Sequence, residues 1–182
     1  MLALPSAVGD ARELKGVREL LLARQIHNQS DVEVWESIRS RAIETGELSA
    51  LLAYHHLICG VLVPRLQGDE NEAILEFSWS DPFIKAQGKL ITNKLHFEWG
   101  NILWNYGAGM SLQGAKMDLS TDDSIREGCK SFQQACGAFE YIKQNILPEL
   151  LATTPPTCTS GLCESGVIMA LSITLAQAQF CL

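Results

Sequence analysis

The sequence predicts a mainly α-helical fold, a TPR-like helical solenoid of stacked antiparallel helices with a little strand towards the N-terminus. Three observations predict it. From Glu13 onwards apolar residues recur mostly at three- and four-residue steps, the mark of one buried helical face. A single segment, ILEFSWSD (74–81), alternates with a period of two. The helical segments follow no strict sequence period, which favours stacked helix pairs over a closed bundle.

Taken in order, LALPSAV (2–8) reads as a short strand or an extended arm. From Glu13 a helix carries Leu14, Val17, Leu20, Leu21 and Ile26 on one face, with Arg12, Lys15, Arg18 and Arg24 mostly off it. NQSD (28–31) predicts a break and an N-cap before a helix marked by Val32, Val34, Trp35, Ile38 and Ile43. LSALLAYHHLICGVL (48–62) forms another helix, ended by Pro64, and residues 67–72 form an acidic turn. In ILEFSWSD, Leu75, Phe77, Trp79 and Asp81 oppose Ile74, Glu76, Ser78 and Ser80, with Pro82 flanking the strand. A polar connection, residues 85–94, leads to a helix with Leu95, Trp99, Ile102, Leu103, Tyr106 and Met110 on its stripe. STDD (120–123) predicts a capping-box start to the next, where Ile125, Cys129, Phe132, Cys136, Phe139 and residues 142–146 align. Pro148 ends or bends that helix, and TTPPTCTSG (153–161) is a loop. A last helix starts near Glu164 and runs through Val167, Ile168, Leu171, Leu175 and Ala178.

Composition narrows the function classes. The 182 residues are 47% hydrophobic and 19% charged, ordinary for a folded chain. A net charge of −7 leaves no broad basic surface for phosphate contacts, so no nucleic-acid partner is expected. No apolar run approaches the roughly 18 residues of a transmembrane segment, and MLALPSAVGDARELK lacks the basic start and apolar length of a secretory signal. Cys59, Cys129, Cys136 and Cys181 lie on apolar-periodic stretches and read as reduced core thiols.

Candidate chemistry is sparse. GMSLQGAK (109–116) differs from a phosphate loop because Ala115 separates Gly114 from Lys116, Met117 follows, and the context is helical. A mid-helix glycine costs about 1 kcal/mol relative to alanine, so Gly107, Gly109 and Gly114, with Ala108 and Ala115, imply close approach of a neighbouring helix. CTSGLC (158–163) has a spacing zinc uses, but no second Cys/His pair lies near it, and adjacent His55 and His56 point apart on a helix surface. There is no Gly-x-Ser-x-Gly elbow or Cys/His/acid set, and Asp122, Asp123, Asp69 and Glu70 read as cap and turn carboxylates. Trp35, Trp79, Trp99, Trp104, Phe97, Phe132 and Phe139 read as core.

Several of these segments, in order, resemble the Bro1 domain. LEFSWSDPF (75–83) looks like the family's strand of the form apolar-x-Phe-x-Trp-x-Asp-x-Phe. FEWGNILWNYGA (97–108) is similar to its Phe/Tyr-Glu helix leading into a Leu-aromatic-Asn-x-Gly/Ala-Ala core, carried by Phe97, Glu98, Leu103, Trp104, Asn105, Gly107 and Ala108. FQQACGAF (132–139) resembles its Gln-x-Ala-x-Gly-Ala-Phe signature, LAQAQ (175–179) its Ala/Gln motif, and YHHLICGVL (54–62) the helix before the strand. The resemblance implies a curved solenoid with a small N-terminal antiparallel β-sheet, and neither catalysis nor a cofactor or bound metal. It implies a cytoplasmic, endosome-associated scaffold of the ESCRT pathway, acting in endosomal sorting and multivesicular-body formation and meeting membranes peripherally through its partners. The implied partner is the C-terminal amphipathic helix of an ESCRT-III subunit, docked on an apolar patch. By alignment Leu182 takes the first apolar position of that patch, and Arg126 or Lys130 matches a basic residue beside it. The other anchors belong to helices beyond LAQAQ. The N-terminal third matches weakly, TTPPTCTSG is a longer loop, and residues 85–93 lack the exposed aromatic of some members.

Two further expectations follow. ITLAQAQFCL stops on an apolar helical face without a C-cap, basic last turn or polar tail, so residues 1–182 are expected to be a partial, truncated Bro1-like domain, about half of one. An extended version is then the form expected to bind the ESCRT-III helix. The alternatives are a Bro1-like signalling scaffold of the rhophilin or phosphatase-linked branches, its function set by other domains, and a metal- or thiol-dependent enzyme centred on Cys158 and Cys163.

Overall fold

The computed structural model describes residues 2–10, 29–66, 75–84, 88–118, 120–153 and 157–181. The helix expected from Glu13 and the acidic turn at 67–72 lie outside the described residues. Mainly helical architecture with a small antiparallel sheet is what the described chain adopts.

Helix α1 (Gln29–Thr45) begins, among the described residues, inside the expected 28–31 segment and already contains Ser30 and Asp31, which the sequence reading placed in the break; Asn28 lies outside the described residues. Asp31 sits in its first turn, where an acidic side chain suits the helix dipole. Val32, Arg39 and Ala42 are buried, whereas Val34, one of the apolar residues that mark this helix in the sequence, is 53% exposed. Gly46, at φ 62°, closes α1 with its N–H on the Ala42 carbonyl at 3.2 Å, a left-handed cap that glycine adopts without strain.

Helix α2 (Leu48–Leu57) packs on α1 and continues through a π-helical turn (Ile58–Leu62) into a short segment, Val63–Leu66. Pro64 therefore sits inside the helical run instead of ending it. A proline ring clashes with the carbonyl four residues back in a regular α-helix, and widening the preceding turn removes that clash. By length and composition alone Leu48–Leu66 is long and apolar enough to cross a membrane, with a mean hydropathy of 1.3, where the sequence reading finds no span. Its inward stripe of Ala50, Leu51, Tyr54, Ile58, Leu62 and Leu66 is buried in the protein core.

Strand β1 (Phe77–Trp79) keeps the expected alternation, burying Leu75, Phe77, Trp79 and Asp81 while Glu76 is exposed. It pairs antiparallel with β2 (Leu90–Thr92), Trp79 opposite Leu90 and Phe77 opposite Thr92. The connection read as polar at 85–94 thus contains a strand. Residues 2–10 form an extended arm whose Gly9 bridges Trp79, with the Asp10 and Ser80 amides donating to the Ser78 and Val8 carbonyls.

Helix α3 (Leu95–Lys116) is the central element and is buried on most of its surface, including Phe97, Glu98, Trp99, Asn101, Ile102 and Trp104. Helix α4 (Asp122–Tyr141) packs on α3 and starts with a Thr121–Ser124 capping box. It buries Cys129, Phe132, Cys136 and Phe139 as predicted, and passes through a second π-helical turn (Ile142–Ile146) into Leu147–Leu151. Pro148 follows this turn as Pro64 follows the first. Helix α5 (Glu164–Phe180) packs on α4. GMSLQGAK lies within α3 and Lys116 is its last residue, so it forms no phosphate loop. The glycines there receive side chains, not a helix backbone. A Cβ on Gly107 would lie 2.7 Å from the Phe139 ring, on Gly114 2.9 Å from Phe132, and on Gly109 2.7 Å from Leu48.

Glu98 joins four elements. Fully buried on α3, its Oε1 accepts from Arg39 Nε of α1 at 2.8 Å and from the Tyr54 hydroxyl of α2 at 3.2 Å. Its Oε2 accepts from the Trp79 indole N–H of β1. Arg39 Nη2 also donates to the Asp10 carbonyl of the arm at 2.9 Å. Burial and the Glu98 charge push the Tyr54 phenol well above its ordinary value. Burial alone would lower Arg39, but Glu98 and Tyr54 together outweigh it and Arg39 moves up.

Candidate functional site

Helices α4 and α5 run antiparallel, which follows from two side-chain contacts: Cys129 Sγ reaches the Ala178 carbonyl at 3.7 Å, and Cys136 Sγ reaches Thr174 Oγ1 at 3.2 Å. The start of α4 therefore lies beside the end of α5. Cys129, Phe132, Ala178 and Cys181 form a small cluster there, flanked by Ile125 and Ala115. Arg126 and Lys130 bracket Cys129 on α4 and are exposed, one turn apart on one side of the helix. Arg126 Nη1 lies 3.7 Å from Asp123 Oδ1, a solvent-exposed pair. Leu182, the expected apolar anchor, lies outside the described residues. Fold and sequence thus bring Arg126 and Lys130 to the end of the helix pair that Cys181 reaches.

Beyond them the α4 surface continues through Gln133, Gln134 and Gly137, all exposed, and a Cβ on Gly137 would meet nothing within 4 Å. Helix α5 supplies what the sequence reading missed. It turns Gly166, Val167, Ala170, Thr174 and Ala178 inward. Ile168, Met169, Leu175 and Phe180 are 41%, 40%, 47% and 78% exposed. The sequence reading runs the helix through Ile168 and Leu175 without choosing its buried face. Thr174 and Ala178 face α4 and Gly166 faces loop 157–163, small residues that allow close packing and leave the large ones outside. The exposed side is consequently apolar, and the small-residue spacing at 166, 170, 174 and 178 was its signal in the sequence.

The other candidate groups are accounted for locally. His55 is half-buried, not on the helix surface: its Nδ1 accepts the Trp99 indole N–H at 2.8 Å, and its ring lies against Trp99 and Tyr141. Burial, then His56, pushes it down. Asp81 is buried and accepts from the Phe83 and Ile84 amides at 2.8 and 3.1 Å. It also accepts from the Ser160 amide at 2.6 Å and from the Ser160 hydroxyl, which ties the strand end to loop 157–163. Burial alone would raise its carboxyl, but these bonds prevail and hold it below the usual range. All six cysteines are free thiols, and among the described residues no group of three or more His, Cys, Asp or Glu side chains is placed to hold a metal.

Comparison with known proteins places these features. The family model of the BRO1-like domain matches residues 22–182. The chain is 31% identical over 140 residues to programmed cell death 6-interacting protein of Mus musculus, covering 74% of this chain and 16% of that one. It is 29% identical over 148 residues to rhophilin-1 of Homo sapiens, covering 80% of this chain and 20% of that one. It therefore spans a fifth or less of the length of these relatives. The solved structure named "ALIX BRO1 CHMP4C complex" overlays on 100% of this chain with a TM-score of 0.84 and 24% identity, the match taking in 55% of that chain.

Proposed function

This chain belongs to the BRO1-like domain family, and on that premise we propose that it is a non-enzymatic adaptor of the ESCRT pathway, docking the C-terminal amphipathic helix of an ESCRT-III subunit. The observation that carries the reading is the α4–α5 pair. It sets exposed Arg126 and Lys130 beside the end of α5 in a fold shared with a BRO1 chain solved in complex with CHMP4C. An amphipathic helix offers an apolar stripe and charged flanks, and such a face can receive both. Residues 1–182 serve here as part of a BRO1 domain, Leu182 as an apolar contact, and Arg126 and Lys130 as the basic rim. In this reading the protein is cytoplasmic and reaches endosomal membranes peripherally, through partners.

The test is fluorescence anisotropy with a labelled C-terminal helix of an ESCRT-III subunit and an extended form of this chain that carries residues 1–182 within a complete BRO1 domain. Saturable binding near 10 µM, about the strength of a transient contact, is expected. Reversing charge in Arg126→Glu with Lys130→Glu should weaken it about tenfold, worth about 1.4 kcal/mol. No saturable binding, or binding indifferent to the double reversal, overturns the assignment. The similarity to rhophilin-1 favours a second reading, a signalling scaffold of the rhophilin or phosphatase-linked kind whose function is set by other domains. Failure of the helix to bind, with a GTPase, PDZ or phosphatase module in the same polypeptide, would select it.

A further inference from the structure

Loop 157–163 carries two thiols that helix docking does not use. Cys163 is the N-cap of α5: its Sγ accepts the Gly166 amide at 3.4 Å and lies 3.2 Å from both the Ser160 carbonyl and Ser165 Oγ. The amide dipoles at the start of α5 therefore converge on this sulfur. Cys158 is half-buried and lines an open surface cleft with Asp81, Ile84, Leu90 and Ser160. Between the thiols the chain curls back on itself. The Leu162 amide donates to Thr159 Oγ1 at 3.3 Å, Asp81 fixes Ser160, and a Cβ on Gly166 would fall 2.0 Å from the Ser160 carbonyl oxygen. The two sulfurs also sense one another: burial and then Cys163 push the Cys158 thiol up.

We propose that Cys158 and Cys163 form an oxidation site, at which a small hydroperoxide converts them to an intraloop disulfide. Cys163 thiolate attacks the terminal oxygen of the hydroperoxide. The O–O bond breaks, and the other oxygen takes up a proton and leaves as an alcohol, or as water from hydrogen peroxide. Cys158, deprotonated, then attacks the sulfenic sulfur, the S–S bond forms, the S–O bond breaks, and the hydroxide leaves as water after gaining a proton. The two thiols lose two electrons and the hydroperoxide gains them. The cleft opens on the Cys158 side of the loop, and Cys163, half-buried at the start of α5, is the thiol that meets the oxidant first. Closing the bond draws the cap sulfur from the Gly166 amide, so oxidation weakens the start of α5.

The sequence supplies a clean assay. Cleavage after Glu149 and Glu164 releases residues 150–164, which contain these two cysteines and no other. The reduced full chain is treated with hydrogen peroxide, blocked with iodoacetamide and then cleaved. The fragment is expected about 2 Da lighter than its dithiol form and without alkylation, formed about tenfold faster in the folded chain than in urea. In Cys158→Ser, dimedone should trap a sulfenic acid on Cys163. Cys163→Ser keeps the helix capped, since serine is a favoured N-cap, and should leave Cys158 open to alkylation. A fragment alkylated at both thiols, over-oxidised without a disulfide, or closing no faster folded than in urea overturns the proposal.

Discussion

At the scale of single residues, the buried charge of Glu98 decides most. Its carboxylate receives Arg39, Tyr54 and Trp79, so one side chain satisfies donors from three other elements. Removing it takes from Arg39, 4% exposed, the carboxylate that its buried guanidinium is paired with. Breaking a buried pair in this way costs about 3–5 kcal/mol. Glu98→Ala is therefore expected to lower the unfolding free energy measured in urea by that amount, whereas Arg39→Met with Glu98→Leu should recover part of the loss. A cost under about 1 kcal/mol for the single change would show the pair to be solvated. Asp81 adds a pH dependence. Its folded carboxyl titrates below the ordinary 3.8, so the unfolded chain takes up a proton first as pH falls. The stability it contributes is fully present above that ordinary value and is lost as pH falls through the folded value. Wild type and Asp81→Asn should accordingly differ most at neutral pH and converge in acid, as followed by urea titrations across that range.

At the scale of elements, glycines separate contact from mere helix. Gly107 holds the Phe139 ring, whose atoms would lie 2.7 to 3.0 Å from an added Cβ, while Gly137 faces open space. Gly107→Ala should cost about 1–3 kcal/mol by overpacking, and Gly137→Ala should gain about 1 kcal/mol of helix propensity. Thermal melts of the two variants moving in the same direction would refute this account of the α3–α4 interface. The stripes of α3 and α4 were legible in the sequence because large apolar residues recur there against polar ones. Helix α5 was not, because apolar residues surround it and periodicity then selects no face; only residue size does. Strand β2 was hidden because three residues of a half-covered edge carry too little alternation among polar neighbours. Pro64 misled because the π-helical turn that accommodates it leaves no mark in composition. Of the candidate site, Arg126 or Lys130 was reached only through the resemblance to the Bro1 domain, while the bare side of α5 depended on packing that no single helix reveals.

At the scale of the whole molecule, the arm at 2–10 closes the fold upon itself. Leu4 and Ala7 are buried, and the Trp104 indole donates to the Pro5 carbonyl at 2.9 Å. Asn105 engages both backbone groups of Ala7, its Oδ1 accepting the amide at 2.8 Å and its Nδ2 donating to the carbonyl at 2.9 Å. Gln177 of α5 reaches the Leu2 carbonyl at 2.9 Å, so the arm touches nearly the last turn of the described chain. Such distant contacts form only after the helices between them are in place, because closing a long loop costs entropy before any contact is gained. Asn105→Ala removes both partners of Ala7, and leaving partly buried polar groups unsatisfied costs about 1–3 kcal/mol. The two possible consequences differ. If the arm were an independent flap, hydrogen exchange would speed up at Ala7 and Val8 alone. Because Arg39 links the same arm to the Glu98 centre, and Asn105 lies one turn before Gly109 on α3, we expect the whole chain to lose stability together. Exchange in the core of α3 and at Ala7 should then accelerate by the same factor in Asn105→Ala, still through one cooperative unfolding transition. Acceleration confined to the arm would show that it is laid upon a finished core and holds nothing else in place.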